Sequence, residues 1–188
     1  KFIDVNSKDD GILHLYVHNM YQKQRVEFDF VKKVLHCVNL DERRRHDGCT
    51  SLIWAAIKGY TDLAKELIAQ GADINASCTI GNTALINGAY NNRIEICNAL
   101  IEAGANLDAC NNGGASALIW ACEQGYEEIA NTLISHGCNL DLCTKEKKNT
   151  ALTCAAKAGR TELVEALVNA GADIHKRNSA GDTALDLA

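Results

Sequence analysis

The chain has 188 residues, 47% of them apolar, only 5% aromatic, and a formal net charge of -5. The charge is uneven: residues 1–46 hold nine Lys or Arg against seven acids, whereas residues 77–142 hold Arg93 alone against seven acids. An acidic centre argues against binding a phosphate backbone and is open to two readings, a solvated surface that keeps the chain soluble or a match to a partner with a basic patch. No apolar run nears the ~20 residues that span a bilayer, and no leader pattern opens the chain, so membrane insertion is not expected. The nine cysteines are odd in number and scattered, as expected of free thiols in a reducing compartment.

Taken in order, Phe2-Ile3-Asp4-Val5-Asn6 resembles the later Gly71-Ala72-Asp73-Ile74-Asn75 and is read as the close of a preceding unit. Asp10-Gly11-Ile12-Leu13-His14-Leu15 is a shortened opening motif. It lies 39 residues before its counterpart at Leu52, with a surplus loop expected around Met20 to Glu27. The type unit is residues 48–81. Gly48 and Gly81 suit tight turns with positive φ, and Thr50 is a helix N-cap. A short helix follows over residues 51–58 and stops at Gly59. A second helix starts at Thr61 with Leu63, Leu67 and Ile68 on one buried face. Gly71 ends it, and Ala72 to Asn75 runs on as a finger.

The opening returns at Thr83-Ala84-Leu85, Ser116-Ala117-Leu118, Thr150-Ala151-Leu152 and Thr183-Ala184-Leu185. Its leucines, Leu52, Leu85, Leu118, Leu152 and Leu185, are 33, 33, 34 and 33 residues apart. A fixed period of this size marks a solenoid, whose units bury their apolar faces only against one another. The closes recur too, at Gly104-Ala105-Asn106-Leu107-Asp108, Gly137-Cys138-Asn139-Leu140-Asp141 and Gly171-Ala172-Asp173-Ile174-His175.

Opening, turn glycines and close together resemble the ankyrin repeat over about residues 47–188. The resemblance implies an all-α ankyrin-repeat solenoid of helix-turn-helix plus finger units, stacked into an elongated array. In that register residues 1–6 are the tail of a preceding repeat and 7–46 an irregular repeat, with an unrelated helical cap as the alternative. Residues 47–76, 77–109, 110–142 and 143–176 are full repeats, the last with a one-residue insertion, and 177–188 is a truncated one. Both ends are accordingly expected to be cuts from a longer protein. The chain has no proline, so Ser51, Ala84, Ala117, Ala151 and Ala184 fill the family's proline column; alanine supplies helix propensity instead. Lys148 stands where the turn glycine belongs, which predicts a distorted, more mobile finger.

The resemblance places the first helices along a concave groove bordered by the finger tips. Positions two, five and six beyond each leucine share a helix face. They are Trp54, Ile57 and Lys58; Asn87, Tyr90 and Asn91; Trp120, Glu123 and Gln124; then Cys154, Lys157 and Ala158. The tryptophans, two repeats apart, should stand ~20 Å from each other at ~10 Å per helix layer. Each indole is open to two readings, a contact residue in the groove or packing against the next repeat. Ile80, Asn82, Asn112 and Ala115 border the groove from the fingers. Tyr60, Arg93, Tyr126 and Arg160 are expected to stack between turns.

Catalysis is not expected. Cys154 has no histidine nearby to activate it, Asn111-Asn112-Gly113-Gly114 lacks the Lys of a phosphate loop, and His136, Cys138 and Cys143 do not converge as zinc ligands should. No cofactor or metal is implied. Arg43-Arg44-Arg45 beside two acids is read as a solvated loop rather than a nucleic-acid patch. The expected function is a protein-binding scaffold in the cytoplasm, with the nucleus open as well, monomeric as a fragment, that grips a partner protein or peptide in the groove. The alternatives are the targeting region of a larger enzyme or secreted effector, and a spacer that binds nothing.

Overall fold

The computed structural model describes residues 39–188. The readings for residues 1–6 and for most of 7–46, including the motif at Leu13, lie outside the described residues. Among those described, nine helices form four pairs and a final short one. The first helices of the pairs are α1 (Ser51–Lys58), α3 (Ala84–Tyr90), α5 (Ala117–Gln124) and α7 (Ala151–Lys157). The second helices are α2 (Thr61–Ala69), α4 (Ile94–Glu102), α6 (Glu127–Ser135) and α8 (Thr161–Asn169), and α9 (Ala184–Leu187) ends the order.

Local chemistry sets where each first helix begins and ends. The hydroxyls of Thr50, Thr83, Ser116, Thr150 and Thr183 each accept a backbone N–H three residues on, satisfying one donor that a helix start leaves open. After each first helix the chain turns through a left-handed residue, Gly59, Gly125 and Gly159 in three repeats and Asn92 at φ 54° in the other. Asparagine tolerates that region better than other non-glycine residues. The second helices have no side-chain cap at their starts; Tyr60, Arg93, Tyr126 and Arg160 occupy those positions.

The leucine column is the core. Leu52, Leu85, Leu118 and Leu152 are fully buried, with Ala55, Ala56, Ala89, Ala121 and Ala155 between the layers. Small residues there let the first helices stack α1 on α3 on α5 on α7 on α9, more extensively than the second helices stack on one another. The first helices thus form the more closely stacked layer, the one that the ankyrin resemblance places along the inner face. Leu185, packed on one side only, is 84% exposed.

Two hydrogen-bond series fasten each finger to the next. At the tips, backbone N–H groups of Thr79, Asn112, Lys145 and Ser179 donate to the carbonyls of Asp47, Ile80, Gly113 and Lys147 at 2.8–3.0 Å. At the bases runs a ladder of Asp and Asn side chains. Asp41 Oδ1 accepts from Asp73 N–H, Asn75 from Asn106, Asp108 from Asn139, and Asp141 from Asp173. Within each finger the same residue types accept from the N–H two residues on.

The insertion near Lys148 is absorbed locally. Lys148 adopts φ 55° and its N–H reaches back four residues to Thr144, where Gly81 and Gly114 reach back three. The flanking bridge from Cys143 to Thr150 survives, as between Ser77 and Thr83 and between Cys110 and Ser116. The distortion therefore amounts to one widened turn. Because lysine in the left-handed region is strained, Lys148→Gly is expected to raise stability by about 1 kcal/mol, read as a shift of the urea midpoint without a change in slope.

Candidate partner-binding groove

The inner face carries a cleft of about 670 Å³ between α5 and α7 and the two fingers that precede them. That volume suits a few residues of a bound chain. Its floor is Ile119, Trp120, Cys154 and Ala158, and its walls are Asn111 to Gly113 on one finger and Thr144 to Lys147 on the next. Glu123 and Lys157 stand at its mouth.

Seven of the expected groove residues meet here: Asn112, Ala115, Trp120, Glu123, Cys154, Lys157 and Ala158. Trp120 is half-buried and meets Tyr90 of the preceding repeat edge to face, with centroids 4.9 Å apart and planes at 83°. Tyr90 is 47% exposed, so the pair forms a shelf extending the cleft toward the preceding repeat. The other tryptophan is elsewhere. Trp54, also half-buried, lies against Arg44 and Lys58, whose charged groups sit 4.4 and 4.5 Å from its ring centroid. Such cation–π contacts hold the indole at the surface of α1. Ile57 is half-buried nearby, Lys58, Gln124 and Ile80 are exposed, and none of these lines the cleft.

Two of the expected groove residues are buried: Asn87 does not line the cleft, and Cys154 lies in its floor. Asn87 is 7% exposed; its Nδ2 donates to the Thr83 carbonyl and its Oδ1 accepts from Asn82. Cys154 is 6% exposed. Burial, with Glu123 adding to it and Lys157 and Lys147 opposing, pushes its thiol up to about 12, so it stays a neutral floor atom rather than a nucleophile.

The remaining asparagines serve the scaffold. Asn111 Nδ2 donates to Asn82 Oδ1 at 3.0 Å, which joins the amides of two fingers. Asn91 donates to the Asn87 carbonyl and Asn112 to the Thr79 carbonyl. Ala115, expected at the groove edge, lines the cleft although most of it is buried. The arginine run is likewise partly structural, a correction to its reading as a solvated loop. Arg43 donates to the Ser77 carbonyl of the next finger, and Arg44 pairs with Asp47 at 3.5 Å and covers Trp54. Of the inter-turn residues, Arg93 lies over Gly59 and Arg160 over Gly125. A Cβ on either glycine would come within 2.9 and 2.6 Å of the guanidinium Nε.

Charge is sorted differently from the sequence total. Of the seven acids in residues 77–142, only Glu123 lines the cleft. Glu95, Glu102, Glu127 and Glu128 lie on the second helices, while Asp108 and Asp141 serve the ladder. The cleft adds Lys145, Glu146 and Lys147, which the repeat register did not single out. A concentration of basic residues was visible there, since residues 143–160 hold five Lys or Arg against one acid.

Stacked helix pairs with hydrogen-bonded fingers and one open inner face define a helical-repeat solenoid. A family model described as ankyrin repeats (3 copies) matches residues 17–111, 52–144 and 118–188. The chain belongs to the ankyrin-repeat family, whose repeats generally serve as protein–protein interaction modules. No curated protein matches it. Among the described residues there is no cluster of potential metal ligands, and no helix is long and apolar enough to cross a membrane.

Proposed function

We propose that this chain is a non-catalytic interaction module that grips a partner protein or peptide on its inner face, centred on the cleft between α5 and α7. The observation carrying this reading is the Tyr90–Trp120 shelf beside a cleft of about 670 Å³. An amphipathic aromatic at the edge of a preformed hollow is the usual anchor of an interface. The fingers and helices around it are cross-linked by backbone and amide hydrogen bonds, so binding orders little new chain and loses little entropy. The eight described cysteines are unpaired, which favours a reducing compartment such as the cytoplasm or nucleus.

The test is the combined variant Trp54→Ala, Tyr90→Ala, Trp120→Ala. It is expected to lose its partner in affinity capture while keeping its helical circular dichroism. Unchanged capture would rule out the inner face, and loss of the helical signal would assign the tryptophans to the core instead.

A further inference from the structure

Resting on the groove reading above, we propose that the cleft between α5 and α7 takes an acidic segment of the partner, its carboxylates on Lys145, Lys147 and Lys157 and an apolar side chain on the Tyr90–Trp120 shelf. This reverses the expectation of a basic partner, and the reversal comes from where the charges stand.

Lys145 and Lys147 rise from one wall and Lys157 from the opposite helix end. None of the three side chains makes an ion pair or hydrogen bond among the described residues, and Lys157 is exposed. Their ammonium groups are therefore available to a ligand, and they converge on one hollow. Both Lys147 and Lys157 lie close enough to Cys154 to favour its thiolate against burial. Most of the chain's excess negative charge lies away from this hollow. The second helices carry four of the central glutamates, and the ladder aspartates accept backbone N–H groups. An acidic segment thus finds attraction at the cleft and repulsion at the back, which selects both site and orientation.

The same cleft disfavours a nucleic acid. Glu123 and Glu146 line it among the lysines, and a strand with a charge on every residue cannot avoid them. A peptide can, because its carboxylates can be spaced and its apolar residues placed between them. The floor suits such a residue: Ile119 and the neutral Cys154 thiol are buried, and Ala158 brings no polar side chain. The amides that could have read a neutral polar sequence, Asn82, Asn87 and Asn111, are hydrogen-bonded to one another. Charge and one apolar contact are what remain for recognition.

The experiment uses fluorescein-labelled, end-capped peptides of about ten residues, enough to span two repeats in extended form. They share their leucines and differ only in whether the intervening residues are acidic, neutral or basic; a single-stranded DNA of equal length is the fourth probe. By fluorescence anisotropy at low salt the acidic peptide is expected to bind about 10-fold or more tighter than the basic one, with the advantage shrinking as salt screens it. Lys147→Glu with Lys157→Glu should erase or invert that ranking. Trp120→Ala should weaken all peptides alike. Absence of binding by the acidic peptide, an equal or reversed ranking, or tighter binding of the DNA would overturn the proposal. The groove reading falls separately: it stands if a basic or neutral peptide binds and Trp120→Ala abolishes it. It fails if no peptide binds and partner capture ignores the aromatic variant.

Discussion

Raising the pH from about 8 to about 10 is expected to remove about 4 kcal/mol of folding stability, a large part of the 5–15 kcal/mol typical of a domain. Three of the buried thiols account for that figure; Cys49 and Cys138, which burial also raises, add to it. Burial pushes Cys97 and Cys154 up to about 12 from an ordinary value of 9.0. It moves Cys122 the same way, with the neighbouring Cys154 and Cys138 adding to the effect. Folded, these thiols keep their protons where the unfolded chain has lost them. Their contribution is therefore complete below pH about 9 and is lost as the pH climbs toward the folded values. At one unit above the ordinary value each thiol costs about 1.4 kcal/mol, and three cost about 4.

Urea unfolding of the combined variant Cys97→Ala, Cys122→Ala, Cys154→Ala across this range should show a flatter dependence, because the lysine, tyrosine and remaining thiol titrations, Cys49 and Cys138 included, are common to both chains. Alanine is a native choice at two of the sites: Ala64 and Ala130 share the Cys97 column, and Ala56, Ala89 and Ala156 share that of Cys122. An equal alkaline loss in the variant would remove these three thiols as its cause.

The second large effect is expected at Gly114. Gly114→Ala should cost about 3 kcal/mol, and it should weaken peptide binding although the residue lies outside the cleft. Gly114 has φ 81°, and a Cβ there would stand 2.8 Å from the Cys143 carbonyl oxygen and 2.9 Å from the Lys145 nitrogen. Both are backbone atoms, so the whole next finger must move. That finger is the one holding Lys145 and Lys147, pinned by the 2.8 Å bond from Lys145 N–H to the Gly113 carbonyl. Gly104→Ala is the control. Its φ is 85° and nothing lies within 4 Å of a Cβ, so only the left-handed backbone cost of about 1–2 kcal/mol applies, with binding intact. Equal losses at the two positions would show that the crowding is relieved without moving the finger.

These sites divide by how far their causes lie apart along the chain. The caps at Thr50, Thr83, Ser116 and Thr150 are legible because donor and acceptor are three residues apart. The leucine column is legible because a 33-residue period repeats it. The asparagines misled for the opposite reason. Asn82 finds its partner Asn111 on the next finger, and nothing local tells a shared amide from a free one. Charge misled through averaging: one window mixed Glu123, which faces the cleft, with glutamates on the second helices. The insertion before Thr150 was legible as an irregularity, but that Lys145 and Lys147 line the cleft depends on the packing of their finger beside α5 and α7.

The ladder of Asp and Asn at the finger bases has a mechanical consequence. Its cross-repeat bonds, Asp41 to Asp73, Asn75 to Asn106, Asp108 to Asn139 and Asp141 to Asp173, follow one another along the stack. If the two ends are pulled, every rung bears the same tension, because rungs in series cannot share a load. A pulled stack is therefore expected to yield one junction at a time, because each repeat is held by its neighbours. Each parting releases one repeat while its neighbours keep their shape, so the cleft between α5 and α7 would outlast detachment of the α1–α2 pair.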